Sequence, residues 1–462
     1  MSEYRYDVIV LGGGPGGYVA AIKSAQKGFR TAIVEKSFIG GTCLNIGCIP
    51  TKALLSSAEA WASIRSMRDF GITIEGASFD FTKIMNRKDR VVKQLRGGVE
   101  FLMKKNAIDV YAGSGKLSGT NSITVNNDEL TSEYIILATG SAPSRPPIPG
   151  LDGTNVVTSN EMLSLEKLPE SMVVIGGGAI GIEFAYLCNT LGTKVTLLEG
   201  LEHILPQEDE QIAAELAASL KKKGINVIAN AMVKEISDVP EGKAVSFNLK
   251  GDDENIQSQT AELVLVATGR TPITENCGFA ENGITIEKRA VKVNANMYTG
   301  IAGIYAIGDV VGGMLLAHKA SAEAAVAVDN IAGIKSEMSY RAIPTALYSS
   351  PQVASVGLTE AAAIAAGINA KSATFQFRAI GKAVAVGERE GNVKIVINID
   401  DNKLIGCQAI GPHVTDMITG VTLAIENEMT VQQYAHSVHA HPTLSEIFHE
   451  AAEAVMGHPV HM

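Results

Sequence analysis

The sequence predicts an α/β chain: two domains built on one strand, glycine loop, helix, strand unit, followed by a C-terminal α+β domain. Three observations predict it. The segment YDVIVLGGGPGGYVAAIKSAQKGFRTAIVEK is an apolar β-branched run, a glycine cluster, a helix-compatible stretch ended by Gly28, and a second apolar run closing at Glu35. A second copy, MVVIGGGAIGIEFAYLCNTLGTKVTLLEG, puts Gly192 and Glu199 in the corresponding places. From about Arg341 the pattern changes to strand-like runs, VKIVIN and KLIGCQAIG, followed by helical periodicity in VTDMITGVTLAIENEM and HPTLSEIFHEAAEAVM.

In each copy the glycines, Gly12, Gly14 and Gly17 and then Gly176, Gly178 and Gly181, fit GxGxxG. The first glycine allows the tight turn, the second lets backbone approach a pyrophosphate, and the third lets helix and strand pack closely. The helix N-terminus adds free amide donors and a positive dipole. Glu35 and Glu199 lie about 20 residues further on, where a carboxylate accepts hydrogen bonds from an adenosine ribose. Two Rossmann-like domains and two dinucleotides are therefore expected. Glu199 repels a ribose phosphate and no Arg follows it in LLEGLEHILP, so the second site prefers NAD over NADP. The first copy carries an inserted segment with two cysteines, which suits a tightly held FAD and leaves the second site to the exchanging nicotinamide.

Both copies end alike, in ATGS through Gly140 and in ATGR through Gly269, so the duplication spans whole domains. The proline-dense SAPSRPPIPG between them reads as a domain connection. The 462 residues exceed the roughly 250–300 at which one core stops growing. The expected division is residues 1–148 for the FAD-binding domain and 149–272 for the NAD-binding domain. Residues 273–340 form a central segment continuing the first domain, with an alanine-rich helix from near Ala317 to Gly333, and 341–462 a separate α+β domain.

Hydrophobic residues make up 46% and charged residues 19%, an ordinary balance for a packed protein. A net charge of −10 argues against a nucleic-acid partner, which would require clustered Lys and Arg. No stretch approaches the roughly 18 uninterrupted apolar residues of a membrane span, and the N-terminus reads as a strand entering a loop rather than a signal peptide. Five cysteines are no disulfide scaffold in a chain of this length. A reducing compartment is expected: the cytoplasm, or an organelle matrix after loss of a transit peptide.

The inserted segment reads GGTCLNIGCIPTKALL. On a regular helix Cys43 and Cys48 would have Cα atoms about 8.6 Å apart, whereas a disulfide needs less than about 7 Å, so pairing requires a distorted backbone. Gly47 and Pro50 are residues expected where a helix starts irregularly. A helix beginning near Pro50 would aim its dipole at Cys48, and Lys52, one turn on, would add positive charge; both lower a thiol pKa. Zinc ligation fits this spacing poorly, and two buried small side chains are the plain alternative. Cys188, Cys277 and Cys407 sit in apolar contexts and are expected to be buried.

Thiol–disulfide chemistry needs a base, because the thiolate is the attacking species. Of nine histidines, five lie between His436 and His458. His441, in HAHPTLSE, is followed five residues later by Glu446, across a proline able to begin a helix; such a carboxylate fixes an imidazole tautomer and raises its basicity. His436, His439 and His441 span a probable turn without a regularly placed carboxylate, and no metal site is expected.

GGTCLNIGCIPTKALL is similar to the active-site signature of the pyridine nucleotide-disulfide oxidoreductases, and the resemblance continues from YDVIVLGGGPGG through ATG, YAIGD and HPTLSE. It implies that Cys43 exchanges with substrate and Cys48 lies against the flavin. Lys52 resembles the lysine beside the flavin's reactive nitrogen, Glu183 its acidic partner near the nicotinamide, and Asp309 the aspartate bonding the ribityl or pyrophosphate region. Gly140, Gly269 and Ala317 complete the implied cofactor-binding set. The resemblance further implies a homodimer, with residues 341–462 as its interface domain, in which His441 reaches the partner subunit's sulfurs. The implied reaction is oxidation of dihydrolipoamide, carried on proteins of 2-oxoacid dehydrogenase complexes or the glycine cleavage system, with NAD⁺. Glutathione-type reductases generally favour NADPH, against Glu199. Mercuric reductases carry a vicinal cysteine pair that EAVMGHPVHM lacks. A noncatalytic flavoprotein subunit is the alternative of another class, and the joint presence of Cys43, Cys48, His441 and Glu446 weighs against it. The family's ATGRxPN has Ile273 here in place of Asn, a departure at a nucleotide-side or interdomain contact.

Overall fold

The computed structural model describes residues 4–461. The first sheet has a parallel centre in the order Asp109–Ala112, Thr31–Glu35, Tyr6–Leu11, Asp128–Leu137, Ile304–Ala306. Strands Tyr6–Leu11 and Thr31–Glu35 are mostly apolar because a strand at the centre of the sheet meets core on both faces, helices on one and the antiparallel meander with the segment from Cys277 to Val310 on the other. Strand Asp128–Leu137 serves two purposes. Its second half pairs in parallel with Tyr6–Leu11, and its first half forms an antiparallel meander with Ser122–Val125 and Gly115–Gly119. The segment after residue 273 returns to this sheet through Ile304–Ala306 and packs helix Ala317–Ile331 against helix Pro15–Gln26.

The second copy repeats the design with five parallel strands in the order Asn226–Ile228, Lys194–Leu198, Ser171–Ile175, Leu263–Val266, Val156–Val157. An antiparallel meander of Ala231–Val239, Gly242–Leu249 and Asp252–Ala261 lies beside it. The proline-rich connection is not irregular throughout: Ser141–Pro143 pairs antiparallel with Arg270–Pro272, so the ways into and out of this unit form a two-stranded ribbon. Ile273 crosses the same junction. Its amide donates to the Gly140 carbonyl at 2.9 Å, its carbonyl accepts from Thr139 Oγ1 at 2.7 Å, and its side chain packs on the first core. These contacts of Ile273 join the returning segment to the first unit, at the mouth of the excursion into the second.

At the C-terminal end an antiparallel sheet runs Thr345–Leu347, Gln352–Gly357, Leu404–Gly411, Asn392–Asn398, Ala370–Gln376. Helix Glu446–Met456 lays Ile447, Phe448, Ala451, Ala452 and Val455 on it, an i, i+1, i+4, i+5, i+8 stripe that buries one helical face. The helix starts at Glu446, not at Pro442. Pro442 follows a cis peptide bond, and the loop stays irregular until Ser445.

Candidate active site

Three units converge on the cysteine segment. Helix Cys48–Ser66 of the first copy packs Leu54, Leu55 and Ala58 against Ile182, Phe184 and Ala185 of helix Ala179–Thr190 in the second, and Leu347 of the C-terminal sheet closes the cluster. This packing brings charged groups together across domain boundaries. Lys52 Nζ lies 2.8 and 2.9 Å from the two Glu183 carboxylate oxygens and 4.5 Å from the centre of the Tyr348 ring, while the Tyr348 amide donates to Glu183 Oε1 at 3.1 Å.

The helix expected to begin near Pro50 begins two residues earlier. One short helix, Gly41–Ile46, stops at Gly47, and the next starts at Cys48 itself. Pro50 is compatible with that start because a proline in the first turn gives up an amide that has no helical acceptor. Gly47 makes the break possible, since a Cβ there would lie 2.9 Å from the Thr42 carbonyl oxygen and 3.2 Å from Cys43 Cα. The turn therefore folds back over Cys43, and the two thiols come into hydrogen-bonding contact instead of standing apart on one helix.

The contact makes the two sulfurs unlike. The hydrogen bond from Cys43 lowers the Cys48 pKa to about 7 against the opposing effect of burial, with Lys52 contributing positive charge and Glu183 working the other way. Cys43, whose proton makes that bond and which is partly buried, is driven well above the ordinary thiol range. Cys48 in the first turn of a helix is thus the thiolate and Cys43 the proton holder.

Both glycine loops are packed as a dinucleotide requires. A Cβ on Gly12 would lie 2.2 Å from the Ala138 oxygen and one on Gly17 1.9 Å from the Gly12 oxygen, yet one on Gly14 would meet nothing within 4 Å. The second loop repeats this: 2.4 Å at Gly176, 2.0 Å at Gly181, and nothing within 4 Å at Gly178. The outer glycines close the strand–helix junction while the middle one, capping helix Pro15–Gln26 or Ala179–Thr190, faces open space where amides and dipole are directed. Glu35 accepts the Gly13 and Ser37 amides at 2.7 and 2.8 Å, and Glu199 accepts those of Gly177 and Leu201 at 2.6 and 2.8 Å. Each oxygen keeps acceptor capacity for a ribose hydroxyl. These residues fit two bound dinucleotides, FAD and NAD.

Asp309 sits in the turn Gly308–Val311, and its Oδ2 accepts from Ser141 Oγ at 2.5 Å. Ser141 Oγ in turn accepts from Arg270 Nε at 2.8 Å, and Arg270 Nη2 donates to the Ser141 carbonyl at 2.7 Å. Gly140 and Gly269 lie at the ribbon that carries this relay, and Ala317 is the first residue of helix Ala317–Ile331. Ser141, Arg270 and Tyr348 were not among the residues the sequence singled out. The signal for the first two was present: they follow the two ATG runs at equivalent positions. Tyr348 had none, because its place beside Lys52 depends on how the C-terminal sheet docks.

His441 and Glu446 form a pair of their own. His441 Nδ1 is 2.7 Å from Glu446 Oε1, and Oε2 accepts the Thr443 amide at 2.9 Å. Burial opposes ionisation of Glu446, but the bonds from His441 and the Thr443 amide outweigh it and hold the carboxyl below its usual range. The His441 side chain is 77% exposed, and no hydrogen bond or ion pair among the described residues links it to Cys43 or Cys48 of its own chain. Cys188, Cys277 and Cys407 are buried. Among the described residues no helix is long and apolar enough to cross a membrane.

Residues 6–324 match the family model of the pyridine nucleotide-disulphide oxidoreductases, and residues 343–452 match that family's dimerisation domain. The chain is similar to a dihydrolipoyl dehydrogenase of Bacillus subtilis, 44% identical over 99% of both chains, and to one of Staphylococcus aureus, 39% identical over 98% of this chain and 97% of the other. Among solved structures it resembles the copper(II) complex of the HOCl-induced flavoprotein disulfide reductase RclA from Escherichia coli, with a TM-score of 0.87 at 28% identity over 98% of this chain and all of the other. It also resembles LpdA from Mycobacterium tuberculosis, with a TM-score of 0.89 at 25% identity over 97% and 100%. With the paired sulfurs, the doubled glycine loop and the antiparallel C-terminal sheet in one chain, the protein belongs to the pyridine nucleotide-disulphide oxidoreductases.

Proposed function

We propose that the chain is an NAD-dependent dihydrolipoyl dehydrogenase that works as a homodimer and oxidises dihydrolipoyl groups carried on other proteins, those of 2-oxoacid dehydrogenase complexes or of glycine cleavage, in the cytoplasm. The observation that carries the reading is the contact between Cys43 and Cys48 across the helix break, beside the Lys52–Glu183 pair. In this reading Gly12, Gly14, Gly17, Glu35, Gly140, Asp309 and Ala317 hold FAD, and Gly176, Gly178, Gly181, Glu199 and Gly269 hold NAD.

The reaction follows from the chain's own groups. His441, with its tautomer fixed by Glu446, takes the proton of one substrate thiol and acts on the partner subunit's cysteines, a reading that its exposure on its own chain supports. The substrate thiolate attacks Cys43 Sγ of the Cys43–Cys48 disulfide. A mixed disulfide forms, and Cys48 leaves as the thiolate that Lys52 and the helix N-terminus stabilise. The second substrate thiol attacks the substrate sulfur of that mixed disulfide, and its proton passes to the Cys43 sulfur that departs. The substrate closes to lipoamide, and the two electrons now reside on the reduced cysteine pair. Bound FAD supplies the redox step that moves this electron pair on to NAD⁺ as hydride.

Anaerobic NADH titration of the holoprotein, followed by a dihydrolipoamide:NAD⁺ assay, tests the proposal. Wild type turns over and Cys43→Ser does not. Full turnover by Cys43→Ser, or no turnover of dihydrolipoamide by wild type, overturns it.

A further inference from the structure

We propose that the buried ion pair Lys319–Glu323, together with Tyr340, is a positioning device that fixes the Gly308–Val311 turn so that Asp309 is presented to FAD, and thereby sets how firmly FAD is retained. This rests on reading the first glycine loop as the FAD site.

Lys319 and Glu323 stand one turn apart on helix Ala317–Ile331, with side chains 1% and 0% exposed and a separation of 3.0 Å. Burying two charges costs several kcal/mol per ion unless every remaining donor and acceptor is satisfied, and an apolar pair of equal volume is often no less stable. Here satisfaction is complete on the cation: Lys319 Nζ donates to Glu323, to the Gly308 carbonyl at 3.3 Å and to the Gly312 carbonyl at 3.1 Å. Glu323 Oε2 accepts the Gly308 amide at 2.7 Å, and Oε1 accepts the Tyr340 hydroxyl at 2.7 Å.

All the backbone partners of the pair belong to one short stretch, Gly308 to Gly312, which brackets Asp309. The amide and the carbonyl of Gly308 are held by opposite charges, so the peptides either side of it are oriented, and the carbonyl of Gly312 is held at the far end. From the other side the Asp309 carboxylate is held by the Ser141–Arg270 relay. Backbone and side chain of one residue are thus fixed independently, as pre-organisation requires: the ordering cost is met in folding and not on binding. Apart from the Tyr340 hydroxyl, every hydrogen bond the pair makes beyond its own ion pair goes to this one turn. Tyr340 lies three residues before the stretch that matches the dimerisation domain, so the entry to that domain is tied to the same carboxylate.

The test uses FAD release from diluted holoprotein, followed as recovery of flavin fluorescence, and rebinding of FAD to the stripped protein. Variants are Glu323→Gln, Tyr340→Phe and the apolar double variant Lys319→Met/Glu323→Leu. Expected are a roughly 10-fold weaker FAD Kd for Glu323→Gln and for the double variant, which lose the charge that holds the Gly308 amide directly, and a roughly 3-fold weaker one for Tyr340→Phe, which loses a bond to the other carboxylate oxygen and leaves the bonds to the turn in place. NADH affinity and the melting temperature of the stripped double variant stay at wild-type values. Wild-type FAD affinity in the double variant overturns the proposal, as does a loss of FAD that merely tracks melting temperature and lost NADH affinity. Failure of the stripped wild type to bind FAD at all refutes the cofactor assignment itself, and is distinguished from both by needing no substitution.

Discussion

Lys52 and Glu183 act on Cys48 with opposite sign, and removing them one at a time separates their effects. With a pKa of about 7, Cys48 is half ionised at neutral pH, where an ordinary thiol near 8.5 to 9 is ionised to only a few per cent. In Lys52→Met the favourable charge disappears and the Glu183 carboxylate, bonded to Lys52 at 2.8 and 2.9 Å, loses its counter-charge near the sulfur and keeps only the Tyr348 amide. Both changes raise the Cys48 pKa. A neighbouring opposite charge shifts a pKa by about 1–3 units, and Lys52 is partly exposed and already paired, so the lower end, about 1 unit, is expected. Glu183→Gln removes the repulsion and keeps Lys52, so the midpoint falls below 7 by a fraction of a unit. The assay is a pH series on the two-electron-reduced holoprotein, reading the long-wavelength band of a thiolate against flavin and, in parallel, the iodoacetamide alkylation rate mapped to each cysteine. Equal midpoints in wild type and Lys52→Met, or a shift of the same sign in both variants, would refute the electrostatic account.

The glycine loops are separable. Gly17→Ala places a methyl 1.9 Å from the Gly12 oxygen and should yield protein without bound flavin, whereas Gly181→Ala, with its methyl 2.0 Å from the Gly176 oxygen, should purify yellow but fail to bind NADH in a fluorescence titration. His441→Ala should lower dihydrolipoamide oxidation by about 10²–10⁴-fold while leaving flavin reduction by NADH intact. Glu446 has its pKa depressed in the fold, so it stabilises the His441 loop when ionised and loses that contribution as pH falls through the depressed value. The melting-temperature difference between wild type and Glu446→Gln should therefore be constant above the ordinary carboxylate range, shrink as pH falls through it, and vanish below the depressed value. Asp309 loses a charge-assisted donor in Ser141→Ala, and FAD retention should weaken several-fold with no change at the NAD site.

What was legible in the sequence is what repeats or alternates. The two glycine loops, Glu35 and Glu199, the change to strand-like runs after Arg341 and the His441–Glu446 spacing all rest on intervals along the chain, which local structure preserves; helical spacing alone argued against joining Cys43 to Cys48, and their pairing rested on the distortion expected at Gly47 and Pro50 and on the resemblance. The helix start at Cys48 was misplaced by two residues because proline is tolerated throughout the first turn, so Pro50 does not mark position one. Pro442 misled in the opposite direction, being part of an irregular loop before Glu446. Tyr348 beside Lys52, and Lys319 and Glu323 beneath Asp309, were invisible for a different reason. A lysine and glutamate four apart on an alanine-rich helix read as a solvated pair, and only the packing of helix Ala317–Ile331 against the first domain turns them inward.

The ribbon of Ser141–Pro143 and Arg270–Pro272 makes the second nucleotide unit, in topological terms, a long hairpin excursion: the polypeptide departs and comes home through neighbouring strands, with Arg270 opposite Pro143. Such an excursion can be grafted in or cut out without rerouting the host sheet, whose later strand, Ile304–Ala306, takes its place regardless of what the detour contains. The second copy of the repeat thus has the architecture of an insertion whose ends need only a short splice.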